Sequence, residues 1–496
     1  MNTSNNTINL HKKTVDFLKT SPSMLINNEE VQSGSKKVFA TKNPANGSVL
    51  AEIPLAEDID VNMAVKAARK AFTDTWKHVK PSEKSDLIWN LAELIERDLE
   101  VLVELETLDN GKPLNKAKYD VLGAVAHLKY YAGWCTKIEG TSIPTDTNKL
   151  VYTKREPLGV VGLIVPWNFP LMIAIWKLAP ALACGNCCVL KPAEQTPLTA
   201  LYLGKLIVEA GFPAGVVNIV TGPGLPTGEA ISNHMDIDKI SFTGSTEVGR
   251  KIMLSAANSN LKKVSLELGG KSPNVIFNDA DLDLVLGGLQ WSSFYNSGQE
   301  CTLGSRIYVQ ESIYEEVLKV LKGKTIKMTI GEGIENPDLG PMVSEEQLKT
   351  VSNYIEKGKK EGGNIICGGN RLEGKLADGY FLEPTIFETD TEDATIVKEE
   401  IFGPVVVISK FKTFDEVVEK ANDTKYGLAA AVWTKDISKA HRFANEVDAG
   451  SIWVNGYDLF DAAVPFGGFK QSGNGKEMGK SAIDLYTKEK AVWVVL

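Results

Sequence analysis

Positive charge, cysteine and histidine are all scarce in this chain, and each shortage removes a class of function. Lysine and arginine number 54 against 63 aspartates and glutamates, a formal net charge of -9 with a pI near 5.4. Neutralising phosphates needs a basic surface, so nucleic acid is not an expected partner. Nothing in this balance favours an anionic membrane face either. Six cysteines, at 135, 184, 187, 188, 301 and 367, show no repeated spacing. In a chain this long that gives no disulfide framework and suits a reducing, cytoplasmic compartment. The cluster Cys184-Gly185-Asn186-Cys187-Cys188 has neither a second cysteine pair nor a nearby histidine to complete a zinc site. No metal is expected, and small residues on a helix-to-strand turn explain the cluster better. Residues 1–26 are polar, with Lys12, Lys13 and Lys19 scattered and no continuous apolar core. No secretory signal is expected there. The stretch from Leu158 to Trp176 is uncharged and mostly apolar, about long enough to cross a bilayer. Pro166, Asn168 and Pro170 would break a spanning helix midway. A buried strand, a loop and a helix start fit better, so no membrane partner is expected. Internal repeats and low-complexity tracts are also missing.

What is present is alternation. A chain of 496 residues is too long for one compact core, so two or three domains are expected. From residue 160 short apolar runs read as buried strands: Val160–Val165, Cys187–Leu190, Val216–Val220, Lys239–Phe242 and Val264–Leu268. Helical patterns, such as Leu198–Ala210 and Thr246–Ala257, lie between several of them. Strand–helix–strand alternation predicts a parallel sheet with helices on both faces. Ligands of such sheets sit at the carboxyl ends of the strands. That rule points to the loops after Val165, Leu190, Phe242 and Leu266. A second α/β region begins near Pro273, with strands at Asn274–Phe277 and Arg306–Gln310 and helices at Leu282–Tyr295 and Tyr314–Met328. Residues 87–108 read as one amphipathic helix.

Three stretches carry candidate chemistry. Cys301 lies between a helix ending near Ser297–Gly298 and a strand starting at Arg306, on a loop where a side chain can face a cleft. A reactive cysteine needs a nearby base or a lowered pKa, and most cysteines are inert. Glu267 ends an apolar strand and precedes Gly269-Gly270. It reads either as a structural ion pair or as a general base raised by burial, with glycines allowing close approach. Ser241–Gly249 is a strand, a glycine turn and a helix start, where backbone N–H groups favour phosphate. It matches neither G-x-G-x-x-G nor a P-loop, so alone it is a modest nucleotide signal.

Together these stretches resemble the aldehyde dehydrogenase superfamily, over nearly the whole chain from Asn43-Pro44 to Ala491. Pro166-Trp167-Asn168-Phe169-Pro170, Lys191-Pro192-Ala193-Glu194, Phe242-Thr243-Gly244-Ser245, Glu267-Leu268-Gly269-Gly270, Gly298-Gln299-Glu300-Cys301, Glu399-Glu400-Ile401-Phe402-Gly403-Pro404 and Pro465-Phe466-Gly467-Gly468 occur in the family's order. The chain is most similar to the homotetrameric mitochondrial and cytosolic aldehyde and retinal dehydrogenases. The resemblance implies an α/β fold with a Rossmann-like NAD-binding domain (1–140 and 159–270), an α/β catalytic domain (271–472) and a small β bridging element for oligomerisation (141–158 and 486–496). It implies that Cys301 attacks an aldehyde and that Asn168, with the Cys301 N–H, holds the oxyanion. Glu267 would activate the water that hydrolyses the thioester. A carboxylate base suits a chain with five histidines, none inside a matched motif. Glu477 matches a residue that passes protons onward, or it is simply structural.

The cofactor residues carry over in the same way. Lys191 and Glu194 should meet the adenosine ribose, where a carboxylate repels a 2′-phosphate and favours NAD over NADP. Gly244 and Ser245 should face the pyrophosphate, with Ile164 and Trp167 nearby. Leu268, Gln347, Glu399 and Phe402 should serve the nicotinamide end. Each could instead be a capped helix or a packed core residue. Phe169, Ile173, Trp176, Tyr295, Thr302, Phe460 and Phe466 should line an apolar, aromatic pocket suited to a small-molecule aldehyde. Leu303 stands where the family generally has a small residue, Gly456 replaces a bulkier one, and Asp458 lies at the pocket mouth in close relatives. A non-catalytic scaffold would be expected to have lost Cys301, and a coenzyme A-acylating relative to lack Glu267. Neither loss is seen. A homotetramer, a dimer of dimers, is implied, with the apolar C-terminal strand as part of its interface.

Overall fold

The computed structural model of this chain describes residues 10–496. Residues 1–9 of the polar N-terminal stretch lie outside the described residues. The sheet that positions the site takes its parallel strands from Val160–Ile164, Cys187–Lys191, Val217–Ile219, Lys239–Thr243 and Lys263–Glu267. Their spatial order places Val160–Ile164 between Cys187–Lys191 and Lys239–Thr243, with Val217–Ile219 and Lys263–Glu267 outside these. Apolar side chains buried on both faces account for the unbroken hydrophobic runs of the central strands. The chain winds outward one way and then the other from Val160–Ile164. A crevice therefore opens beyond the carboxyl ends of Val160–Ile164 and Lys239–Thr243, where such sheets hold ligands. Register pairs Ile164 with Lys191, Phe242 with Ile164, and Thr243 with Glu267. Ile164, Lys191, Phe242 and Leu266 thus stand in one row along that edge, with Thr243 and Glu267 one residue beyond it.

Leu158 to Trp176 is a strand, a loop and the start of the helix Pro170–Ala183. Among the described residues no helix is long and apolar enough to cross a membrane. A second sheet carries parallel strands at Pro273–Ile276, Arg306–Gln310, Thr385–Glu388, Val405–Phe411, Ala429–Trp433 and Ser451–Val454, with Asn364–Cys367 antiparallel at one edge. The third sheet that bears on assembly pairs Thr487–Val495 antiparallel with Lys149–Pro157, and Ser142–Ile143 with the latter. Trp493, Val495 and Leu496 of this element are exposed.

Residues 87–108 are not one amphipathic helix. Two helices, Pro81–Arg97 and Leu99–Asn110, meet at Asp98, and most of the second is buried all round. The break has a local cause. The Asp98 carboxylate accepts from Lys13 Nζ at 2.7 Å, Arg97 Nε at 3.0 Å and the Tyr202 hydroxyl at 2.8 Å. These partners fix its backbone at φ -99°, ψ 26°, outside the helical run. Likewise the helix from Leu282 stops at Phe294. A tight turn, Tyr295–Gly298, follows, with Asn296 and Ser297 at φ 48° and 55°.

Candidate functional site

The turn before Cys301 is strained, since non-glycine residues seldom adopt positive φ. Side-chain bonds hold it: Asn296 Nδ2 donates to the Asn168 carbonyl at 3.0 Å, and Ser297 Oγ to the Gly340 carbonyl at 2.8 Å. The Asn168 amide donates to the Gln299 carbonyl at 3.0 Å. These bonds lock Asn168, at the head of Pro170–Ala183, onto the loop that presents Cys301. Gly270 explains how closely the loop meets the strand end. A Cβ there would lie 2.5 Å from the Cys301 carbonyl oxygen.

Cys301 and Glu267 face one cavity of about 560 Å³. All seven residues expected for the substrate pocket line it: Phe169, Ile173, Trp176, Tyr295, Thr302, Phe460 and Phe466. Leu268 and Glu477 line it too. Asn168 is buried beside the loop and is not part of the cavity wall. Leu303 and Gly456 stand outside the wall as well. A Cβ on Gly456 would crowd Leu459 at 3.0 Å.

Glu267 is 5% exposed, and its Oε2 has no hydrogen-bond partner. Gly467 makes room for it, as a Cβ there would sit 2.5 Å from Oε1. Burial pushes the Glu267 carboxyl well above the ordinary carboxylate range, and the nearby Glu477 adds to this, while Lys177 and Lys476 oppose it. Cys301 is partly open to the cavity, yet burial pushes its thiol up as well, reinforced by Glu300, Glu400, Glu267 and Asp458. Behind Glu477 lies a buried polar cluster. Lys177 forms an ion pair with its carboxylate and donates to Ser241 Oγ at 3.1 Å, and that hydroxyl contacts Glu477 Oε1 at 3.1 Å. The other buried cysteines, 135, 184, 187 and 188, are thiols held up by burial. Cys184 follows the helix Pro170–Ala183 and Cys187 starts a strand, a helix-to-strand turn. Among the described residues no group of His, Cys, Asp or Glu is arranged to hold a metal ion.

A second cleft, of about 630 Å³, lies at the crevice beyond the strand ends. Ile164, Trp167, Lys191, Glu194, Gly244 and Ser245 line it. Thr243 lines both spaces, so the cleft abuts the Cys301 cavity. Ser245 also caps the helix Thr246–Asn258, its hydroxyl accepting from the Val248 N–H at 3.3 Å. The cleft fits a ribose phosphate. Lys191 is buried, its ammonium spending one bond on the Pro192 carbonyl at 3.0 Å and standing 3.8 Å from Glu194. Burial lowers its pKa and Glu194 opposes this, so an anionic ligand in the cleft would favour the charged form. The helix N-terminus supplies a positive end for phosphate.

Gln347, Glu399 and Phe402 line neither space directly. Gln347 Nε2 donates to the Phe402 carbonyl at 2.8 Å, and Tyr354 donates to Glu399 at 2.8 Å. The Phe402 ring meets Trp167 edge to face at 5.1 Å, which brings this group to the cleft rim. Several residues carry no signal in the linear sequence: Asp120, Tyr119, Trp291 and His127 line the cavity, and Lys112 is buried behind Phe169. Glu300 sits inside a matched motif, but only the cavity shows where it points.

Comparison with known proteins follows this geometry. The profile described as "Aldehyde dehydrogenase family" matches residues 31–492. Aldehyde dehydrogenase 1A1 from Gallus gallus is 51% identical, over 95% of this chain and 93% of that protein. Retinal dehydrogenase 2 from Gallus gallus is 50% identical, over 95% of this chain and 91% of that protein. The structure of the NAD+ complex of an aldehyde dehydrogenase from Bacillus cereus superposes with a TM-score of 0.97 at 50% identity, covering 98% of this chain and 99% of that one.

Proposed function

This chain belongs to the aldehyde dehydrogenase family, and from that premise we propose that it oxidises aldehydes to carboxylic acids with NAD through a covalent intermediate on Cys301. The observation that supports this most is the row of residues joining the two spaces: Cys301 and Glu267 in one cavity, Thr243 shared, Lys191 and Glu194 in the next. The relative whose structure contains NAD+ adds to the case for that cofactor.

In this reading Cys301 Sγ attacks the aldehyde carbon as its proton leaves for Glu267, giving a thiohemiacetal. The developing oxyanion is met by the Cys301 N–H and the Asn168 amide, which exchanges its bond to the Gln299 carbonyl for it. Bound nicotinamide supplies the hydride acceptor. Glu267 gives up the thiol proton to solvent, and the ionised carboxylate then deprotonates the water that hydrolyses the thioester on Cys301 and releases the carboxylic acid. Glu477, bonded to Lys177 and Ser241, lies close enough to Glu267 to raise its pKa and is the group to which we assign the onward transfer of that proton. Gly244, Ser245, Ile164 and Trp167 hold the pyrophosphate end, and Lys191 and Glu194 the adenosine ribose. Glu399, Phe402, Leu268 and Gln347 shape the nicotinamide end.

The assignment extends to organisation. Residues 1–140 and 159–270 form the NAD-binding domain, 271–472 the catalytic domain, and 141–158 with 486–496 the bridging element of a cytoplasmic homotetramer. The test of the activity is Cys301→Ala. It removes the nucleophile, so NADH formation from aldehydes should vanish while NAD still binds. Retained aldehyde oxidation in that variant refutes the assignment.

A further inference from the structure

The Cys301 cavity is acidic, and its carboxylates are not equivalent. No lysine or arginine is among its lining residues. Asp120 is matched by Lys112 at 2.5 Å and Glu477 by Lys177. Asp461 is exposed to solvent. Glu267 is the base of the proposed reaction. Glu300 and Asp458 are 5% and 6% exposed, and neither forms an ion pair among the described residues. The two carboxyl groups lie within hydrogen-bonding reach of each other, and Glu300 Oε2 and Asp458 Oδ2 receive no hydrogen bond from any other described residue. Two acceptor-only groups buried in this way are costly unless something donates to them.

Their placement brackets the nucleophile. Glu300 directly precedes Cys301. Asp458 is held from the other side, because Thr302 Oγ1 donates to its Oδ1 at 2.8 Å. The neighbouring Tyr457 hydroxyl donates to the Thr302 carbonyl at 2.6 Å, which ties the two loops together. Asp458 is kept at φ 53°, a conformation that non-glycine residues seldom adopt. The Lys116 ammonium lies 4.0 Å over the Trp291 ring and 4.9 Å over the Tyr295 ring. It does not line the cavity, although Trp291 and Tyr295 do.

We propose that Glu300 and Asp458 form a subsite for the ammonium group of a short amino aldehyde, whose carbonyl is then presented to Cys301. The proposal rests on the aldehyde-oxidising reading above and names its substrate class. An ammonium carries three donors and one positive charge, which matches two facing carboxylates with free oxygens. The Phe460 ring, which lines the same cavity, adds cation–π attraction. Burial raises both carboxyls, and the proton they share passes to solvent when an ammonium takes its place. The same field disfavours an aldehyde that carries a carboxylate.

The test compares kcat/KM for 3-aminopropanal, for butanal as its near-isosteric neutral counterpart, and for succinic semialdehyde. The ammonium substrate should lead by about tenfold over butanal, the scale of hydrogen bonding to a charged group, and succinic semialdehyde should come last. In Glu300→Gln and in Asp458→Asn the ratio of 3-aminopropanal to butanal should collapse toward one, chiefly through KM for the amine, and Glu300→Asp should restore part of it. Calorimetry with propylammonium, which has no aldehyde, should show binding that Glu300→Gln weakens. Equal use of 3-aminopropanal and butanal by the unmodified protein overturns the proposal, as does a ratio unmoved in both variants. If no aldehyde is oxidised, the aldehyde-oxidising reading is what fails, and propylammonium binding still decides whether the subsite exists.

Discussion

Lys112→Met should destabilise the protein by about 3–5 kcal/mol, the scale of breaking a buried ion pair from one side. The lysine is buried, and its ammonium donates to Glu106 Oε1 at 2.9 Å, Asp120 Oδ2 at 2.5 Å and the Asn168 carbonyl at 2.8 Å. It also lies 4.4 Å over the Phe169 ring. Methionine keeps most of the volume, so the change is electrostatic and not a cavity effect. It strands two buried carboxylates, one of which, Glu106, already has an unpartnered oxygen. A loss near 4 kcal/mol corresponds to about a thousandfold in the folding equilibrium. The sign of the pH dependence follows from Asp120. Burial and the Glu106 charge raise its folded pKa above the unfolded value, even with Lys112 opposing. A carboxyl raised in this way favours folding below its unfolded pKa, and that contribution is lost as pH rises through the folded one. Without Lys112 the folded pKa climbs further. The stability gap between variant and parent should therefore be smallest near pH 5 and widen toward pH 8. Urea unfolding at both pH values measures it. Turnover of folded variant should fall too, since the Asn168 segment loses its anchor. A gap below about 0.5 kcal/mol at pH 8, or one that narrows as pH rises, refutes the reasoning; 0.5 kcal/mol is the size of an ordinary surface change.

Glu267→Gln should slow turnover at least about a hundredfold, the scale of a lost general base, and let an acyl-enzyme accumulate. Because the Glu267 pKa is raised and the base must be ionised, the parent should lose kcat/KM on acidification at a pH above the usual carboxylate range, and the variant should lack that limb; an unchanged rate would make the glutamate structural. Glu194→Gln should narrow a preference for NAD over NADP, read as the ratio of kcat/KM for the two cofactors, and a parent enzyme using both equally contradicts the repulsion argument. Deleting residues 488–496 removes the partner of Lys149–Pro157 and opens a sheet edge; light scattering should find a smaller oligomer or insoluble protein, and a soluble tetramer contradicts the bridging role.

The legible parts of the fold are those set by local pattern. Strands buried on both faces leave continuous apolar runs, so the five parallel strands of the first sheet could be read to within a residue or so at each end, and with them the edge that bears Ile164, Lys191, Thr243 and Glu267; its antiparallel edge strands Met24–Ile26, Glu29–Val31 and Gly473–Asn474, too short to show a pattern, could not. The break at Asp98 could not be read, because apolar spacing continues through it and its cause is a bond to Tyr202, 104 positions away. Glu300 illustrates the same limit at the site. It stands in a quoted motif, yet its meaning depends on Asp458, which reaches Thr302 across 156 positions. Lys177 and Glu477, 300 positions apart, form a pair that neither local segment suggests.

The charge around Cys301 first looks hostile to a thiolate. Glu300, Glu400, Glu267 and Asp458 all disfavour ionising it, and burial does so more strongly than any of them. What matters for reaction is the difference between thiol and base, not either pKa alone. Glu267 is raised by the same burial and by Glu477. Moving a proton from Cys301 to an ionised Glu267 creates no new charge in the cavity; it relocates one that is already there. Desolvation enters with the same sign for both groups and largely cancels. The low-dielectric cavity that makes the resting thiol inert thus raises its proton acceptor as well, so burial does not by itself widen the gap in proton affinity between them. Gly270 and Gly467, which admit the Cys301 loop and the Glu267 carboxylate without a Cβ in the way, are what the backbone contributes to that pairing.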